Sequence, residues 1–173
     1  MTIKYFVNGI RTILPSGIIS FWCSLIFLFT GIFPSDSLAQ IDVFQESPLV
    51  FGAMILSETS GSVTLNPNGG RIANGGIILI NASEFHPMIL SVEAMYGSTI
   101  QIQFSTEQKL FGDNGGEIGL TLNATDPASP FTSLLTPPER TTIYVGGTLS
   151  LGNRSTTPPG VYTGSVTLIF IQE

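Results

Sequence analysis

Cysteine is almost absent from this chain: one occurs in 173 residues, at Cys23. A single thiol excludes an internal disulfide and any multi-cysteine metal site. Histidine and tryptophan are as scarce, at His86 and Trp22. One histidine cannot build a multi-histidine metal centre, and Ser-His-Asp chemistry would have to use His86 itself. His86 precedes Pro87 at the expected start of a strand, and no Gly-x-Ser-x-Gly elbow occurs. It is therefore read as a structural or surface residue. Charge is thin too: six basic residues face twelve acidic ones, for a formal charge of −6. So few cations cannot neutralise a run of phosphates, which argues against nucleic acid or an anionic membrane surface as a partner.

What the chain does have begins with a leader. Lys4 and Arg11 precede an apolar run over residues 18–33, closed by Pro34 and followed by the small-residue pattern Ser37-Leu38-Ala39. This is the charge, core and cleavage-site order of a signal peptide, expected over residues 1–39 with cleavage between Ala39 and Gln40. The apolar core is shorter than the roughly 20 residues a spanning helix needs. Cys23 and Trp22 both lie in that leader. Cleavage leaves residues 40–173, a single domain of 134 residues with four basic and eleven acidic side chains, a formal charge of −7. Exported without disulfides, such a domain must be stabilised by its own core. The expected location is the periplasm, the cell surface or the medium of a Gram-negative bacterium, with no membrane contact after cleavage.

Beyond the leader the hydrophobic pattern has period 2. Residues 99–104 and 118–123 alternate polar and apolar throughout, as antiparallel strands with one wet face do. Residues 49–56 and 77–80 are continuously apolar, which predicts central strands or passages between sheets. Further strands are expected over residues 63–65, 88–92, 143–145, 149–151 and 162–171. Three Asn-Gly-Gly triplets, starting at Asn68, Asn74 and Asn114, read as tight turns. Prolines mark the loops, the longest expected over residues 126–140. Many short strands at regular spacing predict one all-β, immunoglobulin-like antiparallel sandwich of about seven to nine strands.

No motif adds chemistry to that frame. The acids are scattered; a glycosidase needs two at a set separation, which sequence does not give. Asp113-Asn114-Gly115-Gly116-Glu117 has oxygens for calcium but lacks the ligand spacing of an EF-hand loop, and a hairpin explains it. No phosphate-binding glycine loop is present. No catalytic residue, metal site or cofactor is expected.

Two ordered sets of phrases carry a resemblance. Pro48-Leu49-Val50-Phe51-Gly52, then Gly61-Ser62-Val63-Thr64-Leu65-Asn66-Pro67-Asn68-Gly69, resemble the opening of the DUF4402 family of secreted bacterial β-domains. Val145-Gly146-Gly147-Thr148-Leu149 and residues 159–168 resemble its close. The resemblance implies export and a β-sandwich, and leaves the activity open. The C-terminal stretch is also similar to the final strand of chaperone–usher pilus subunits. Gly160 is the fourteenth residue from the end, and Tyr162, Val166, Leu168 and Phe170 share one face. That similarity implies an edge that a neighbour's N-terminal strand could fill, with Ile41 and Val43 as its apolar pegs. A complete sandwich, in which the same N-terminal residues pair within one chain, is the other arrangement. The expected function is that of a non-catalytic structural or adhesive surface protein, self-associating or joining other surface subunits. The alternatives are a module binding a small ligand such as a glycan and, after it, a hydrolase on a β-scaffold.

Overall fold

The computed structural model describes residues 3–4, 41–105 and 107–173. Residues 5–40, which hold most of the signal peptide expected over residues 1–39 and the expected cleavage pair Ala39-Gln40, lie outside the described residues. The described residues comprise twelve strands and no helix: β1 (Ile3–Lys4), β2 (Asp42–Ser47), β3 (Met54–Leu65), β4 (Arg71–Leu79), β5 (Met88–Glu93), β6 (Thr99–Phe104), β7 (Gln108–Gly112), β8 (Glu117–Asp126), β9 (Phe131–Thr132), β10 (Thr141–Leu151), β11 (Tyr162–Thr163) and β12 (Val166–Gln172). Nine are longer than two residues.

They form two sheets facing one another. The smaller has the order β1-β12-β6-β9; the larger runs β11-β7-β8-β10-β3-β4, with β5 also on β10 and β2 on β5. All pairings are antiparallel except the two-residue contact of β1 with Val166 and Thr167. β10 is the common strand. Residues 141–145 pair with β5 and 147–151 with β3 along one edge, while β8 takes the other.

Alternation sets the core. Ile100 and Ile102 of β6 and Val166 and Leu168 of β12 point inward from the small sheet. Val63, Leu65, Leu90, Leu120, Leu122, Ile143 and Val145 meet them from the large one. Each such side chain stabilises the fold by roughly 1.5–3 kcal/mol relative to exposure. The domain is thus an antiparallel β-sandwich held by aliphatic packing.

The structure departs from the sequence expectations at four places. Asn74-Gly75-Gly76 is not a turn but lies within β4, where Gly75 (φ +75°) pairs with Gly61 at a break in the β3–β4 register. The other two triplets do close hairpins, between β3 and β4 and between β7 and β8. Residues 77–80, expected in a central strand or a passage between sheets, close β4, the outermost strand of the large sheet, with Ile80 just beyond it. Ile77 is buried, whereas Ile78 is 64 % exposed on the outer face, opposite Ile55, which is itself exposed. The long loop expected at residues 126–140 contains β9, and Ser129 Oγ accepts the Ile102 N–H at 2.7 Å. Residues 162–171 are not one strand: β11 closes the large sheet, and the chain crosses at Gly164-Ser165 to the small one.

Candidate functional site

Ile41 and Val43 lie half-buried against the core of their own chain, with β2 paired to β5. Ser91 Oγ donates to Glu46 Oε1 at 2.7 Å, and the Arg140 guanidinium sits 3.7 Å from the centre of the Phe44 ring. Arg140 also meets Glu93 at 3.3 Å.

The C-terminal residues singled out in sequence fall in two places. Val166 and Leu168 are buried in β12, and Phe170 is half-buried behind them. Thr99 and Glu173 exchange both backbone bonds, at 3.0 and 2.9 Å. This fixes the alternation, so residues 169 and 171 bond to β6 while the backbone groups of Leu168, Phe170 and Gln172 face the opposite edge. Along that edge the only described strand is β1, at Val166 and Thr167. Ile169, on the outer face, is exposed.

Gly160 and Tyr162 sit elsewhere, where the large sheet ends against the hairpin of β7 and β8. Asp113 Oδ1 accepts the Val161 N–H at 3.0 Å, and Asn114 Nδ2 donates to the Pro159 carbonyl at 2.9 Å. A Cβ on Gly160 would collide with the Asp113 carboxylate. Tyr162 donates its hydroxyl to the Pro158 carbonyl at 2.7 Å. Burial, and secondarily the Asp113 carboxylate, push its phenol above the usual value. The acids of the turn once considered for calcium are thereby engaged, Glu117 by Lys109. Among the described residues no three histidine or acidic side chains gather as a metal site would require.

His86 is bonded into the structure. Its backbone pairs with Val50 in both directions, and its Nδ1 lies 3.2 Å from Ser47 Oγ and 3.1 Å from the Pro87 carbonyl. Ser, His and acid thus lie in series, since Glu84 stands 3.7 Å from Nε2. The geometry is unsuited to nucleophile activation. The Pro87 carbonyl favours a proton on Nδ1, the nitrogen that would have to accept one from Ser47, and Glu84 is too distant and exposed to orient the ring.

Sequence reading missed one concavity. A cleft of about 810 Å³ opens between residues 48–56 and 157–164. Its floor is the inner face of the large sheet: Leu56, Leu110, Ile118, Leu120, Leu149 and Leu151. Arg71 braces one rim, donating to the carbonyls of Phe51 (2.7 Å) and Ile80 (2.9 Å) with its guanidinium 4.1 Å from the Phe85 ring centre. Beside the other rim, Asn153 organises a turn: its Oδ1 accepts the N–H groups of Ser155 and Thr156, both at 3.1 Å. This turn brings Arg154 and Thr157 to the cleft.

The model of the domain of unknown function DUF4402 matches residues 41–170, so the chain belongs to that family. No curated protein and no solved structure matches it.

Proposed function

We propose that this DUF4402 domain is an exported, non-catalytic structural or adhesive subunit that associates at the cell surface through the outer edge of β12. The observation that carries this reading is that edge itself. Leu168, Phe170 and Gln172 turn their backbone N–H and C=O groups to a side where no described strand lies, between apolar side chains on both faces. Natural sheets blunt such edges with lysine, proline or a bulge, and β12 has none of these. Pairing with a strand of another chain satisfies the groups and covers Ile169 and Ile171 together. Ile3–Lys4 already lie along the first two positions of the edge, and cleavage after Ala39 would remove them. The leader supports export, and the acidic, disulfide-free composition suits a secreted β-domain.

Light scattering on residues 40–173, across a concentration series, tests the reading. Self-association is expected, and it should disappear in Ile169→Lys and Ile171→Lys, which place edge charges without touching the buried residues. A chain that stays monomeric throughout, or lysine variants that associate as before, would sink it.

A further inference from the structure

We propose that the cleft between residues 48–56 and 157–164 binds a free fatty acid, with its acyl chain on the leucine floor and its carboxylate at Arg154.

Charge distribution points to the head group. The chain carries twice as many acids as bases, yet no acid lines the cleft and one cation does. Arg71 is held by two carbonyls, Lys109 by Glu117 and Arg140 by Glu93, each with its partner in this chain. Arg154 is exposed and, among the described residues, has no such partner. Three residues on, Thr157 is 6 % exposed, and its buried Oγ1 has no hydrogen-bond partner among the described residues. Arg154 and Thr157 thus line an otherwise apolar concavity, the usual composition of a small-molecule site. The volume, about 810 Å³, lies inside the range of roughly 300–1,000 Å³ found for such sites.

Much of either rim is closed to a peptide strand. An inserted strand brings a polar backbone that must find partners. On one rim Val50 has both groups bonded to His86, the Phe51 carbonyl takes Arg71, and Ala53 donates to Ser83 Oγ and accepts from Ile80. On the other, Pro158 and Pro159 have no N–H, and their carbonyls accept from Tyr162 and Asn114. Val161 is bonded to Asp113 through both backbone groups. Only Met54–Leu56, which pair with β4 alone, and Tyr162–Thr163, which pair with β7 alone, keep an edge that no described strand takes. An acyl chain needs no such edge, and gains from leaving water on the leucine floor.

The site is separate from the β12 edge, so a monomeric protein in light scattering leaves this inference standing. Its test is displacement of a fluorescent fatty acid from the purified protein by palmitate, methyl palmitate or hexadecylamine, with methyl resonances of Leu120, Leu149 and Leu151 followed by NMR. Palmitate should displace the probe and shift those methyls. Methyl palmitate should bind about tenfold or more weakly, as should palmitate to Arg154→Gln, because a charge-assisted contact is lost. The proposal is overturned if palmitate does not displace the probe, or if hexadecylamine binds as tightly. Equal affinity in Arg154→Gln overturns it as well. So does a peptide of residues 40–47 that shifts the same methyls where palmitate does not, since the occupant is then a strand.

Discussion

Arg71 shows how one side chain can hold a wall in place. Its two bonds to the Phe51 and Ile80 carbonyls tie the segment before β3 to the end of β4, and Ser83 Oγ adds a bond to the Ile80 carbonyl at 2.7 Å. Arg71→Ala leaves both carbonyls without that donor and should cost about 2–3 kcal/mol in urea unfolding. Arg71→Lys should recover only part of this, because an ammonium cannot reproduce the fork. Tyr162 carries a pH dependence. Its phenol is held above the ordinary value, so the folded state favours the protonated form. That contribution is complete below about pH 10 and is lost as pH rises through the folded pKa. Tyr162→Phe should lower stability by about 1 kcal/mol at neutral pH and flatten the alkaline decline, read from urea midpoints across pH. If Tyr162→Phe keeps the full alkaline slope, another group is responsible.

At the scale of elements, sequence was most informative where a strand has one wet face. β6 and the alternating part of β8 follow their period-2 patterns, since alternation encodes both strand and buried side. Continuous apolar runs misled because an edge strand can carry isoleucines on both faces, the outer pair Ile55 and Ile78 facing each other while both stay exposed. The split of residues 162–171 between sheets is set by close approach rather than periodicity. A Cβ on Gly164 would lie 2.6 Å from Leu110 Cδ2 and 2.8 Å from the Lys109 carbonyl, so the crossing passes where only glycine fits. The cleft was harder to read, as its rims are far apart in sequence. Its one trace is that residues 47–57 and 140–172, which supply both rims, contain no acid. β2 gives the prediction proper to this scale. Because Asp42–Ser47 pair with β5 in the same chain, deleting residues 40–45 should destabilise the domain by on the order of 3 kcal/mol, measured by thermal melting. An unchanged melt would show that the strand contributes nothing to its own sandwich.

For the molecule as a whole, a narrow sheet lies over a wider one, and the wider sheet branches at β10. That strand meets β5 and β3 end to end along one edge and β8 along the other, with a register shift to β8 at Gly146/Gly147. Of its side chains, Ile143 and Val145 are fully buried. The consequence is topological: no other strand has three neighbours, so none of these can slip by a residue without β10 losing register with the rest. Fraying from either terminus has to stop there. In native-state hydrogen exchange the backbone amides of β10 should therefore be the last to open, at the free energy of global unfolding, while those of β2 and β12 exchange through smaller local openings.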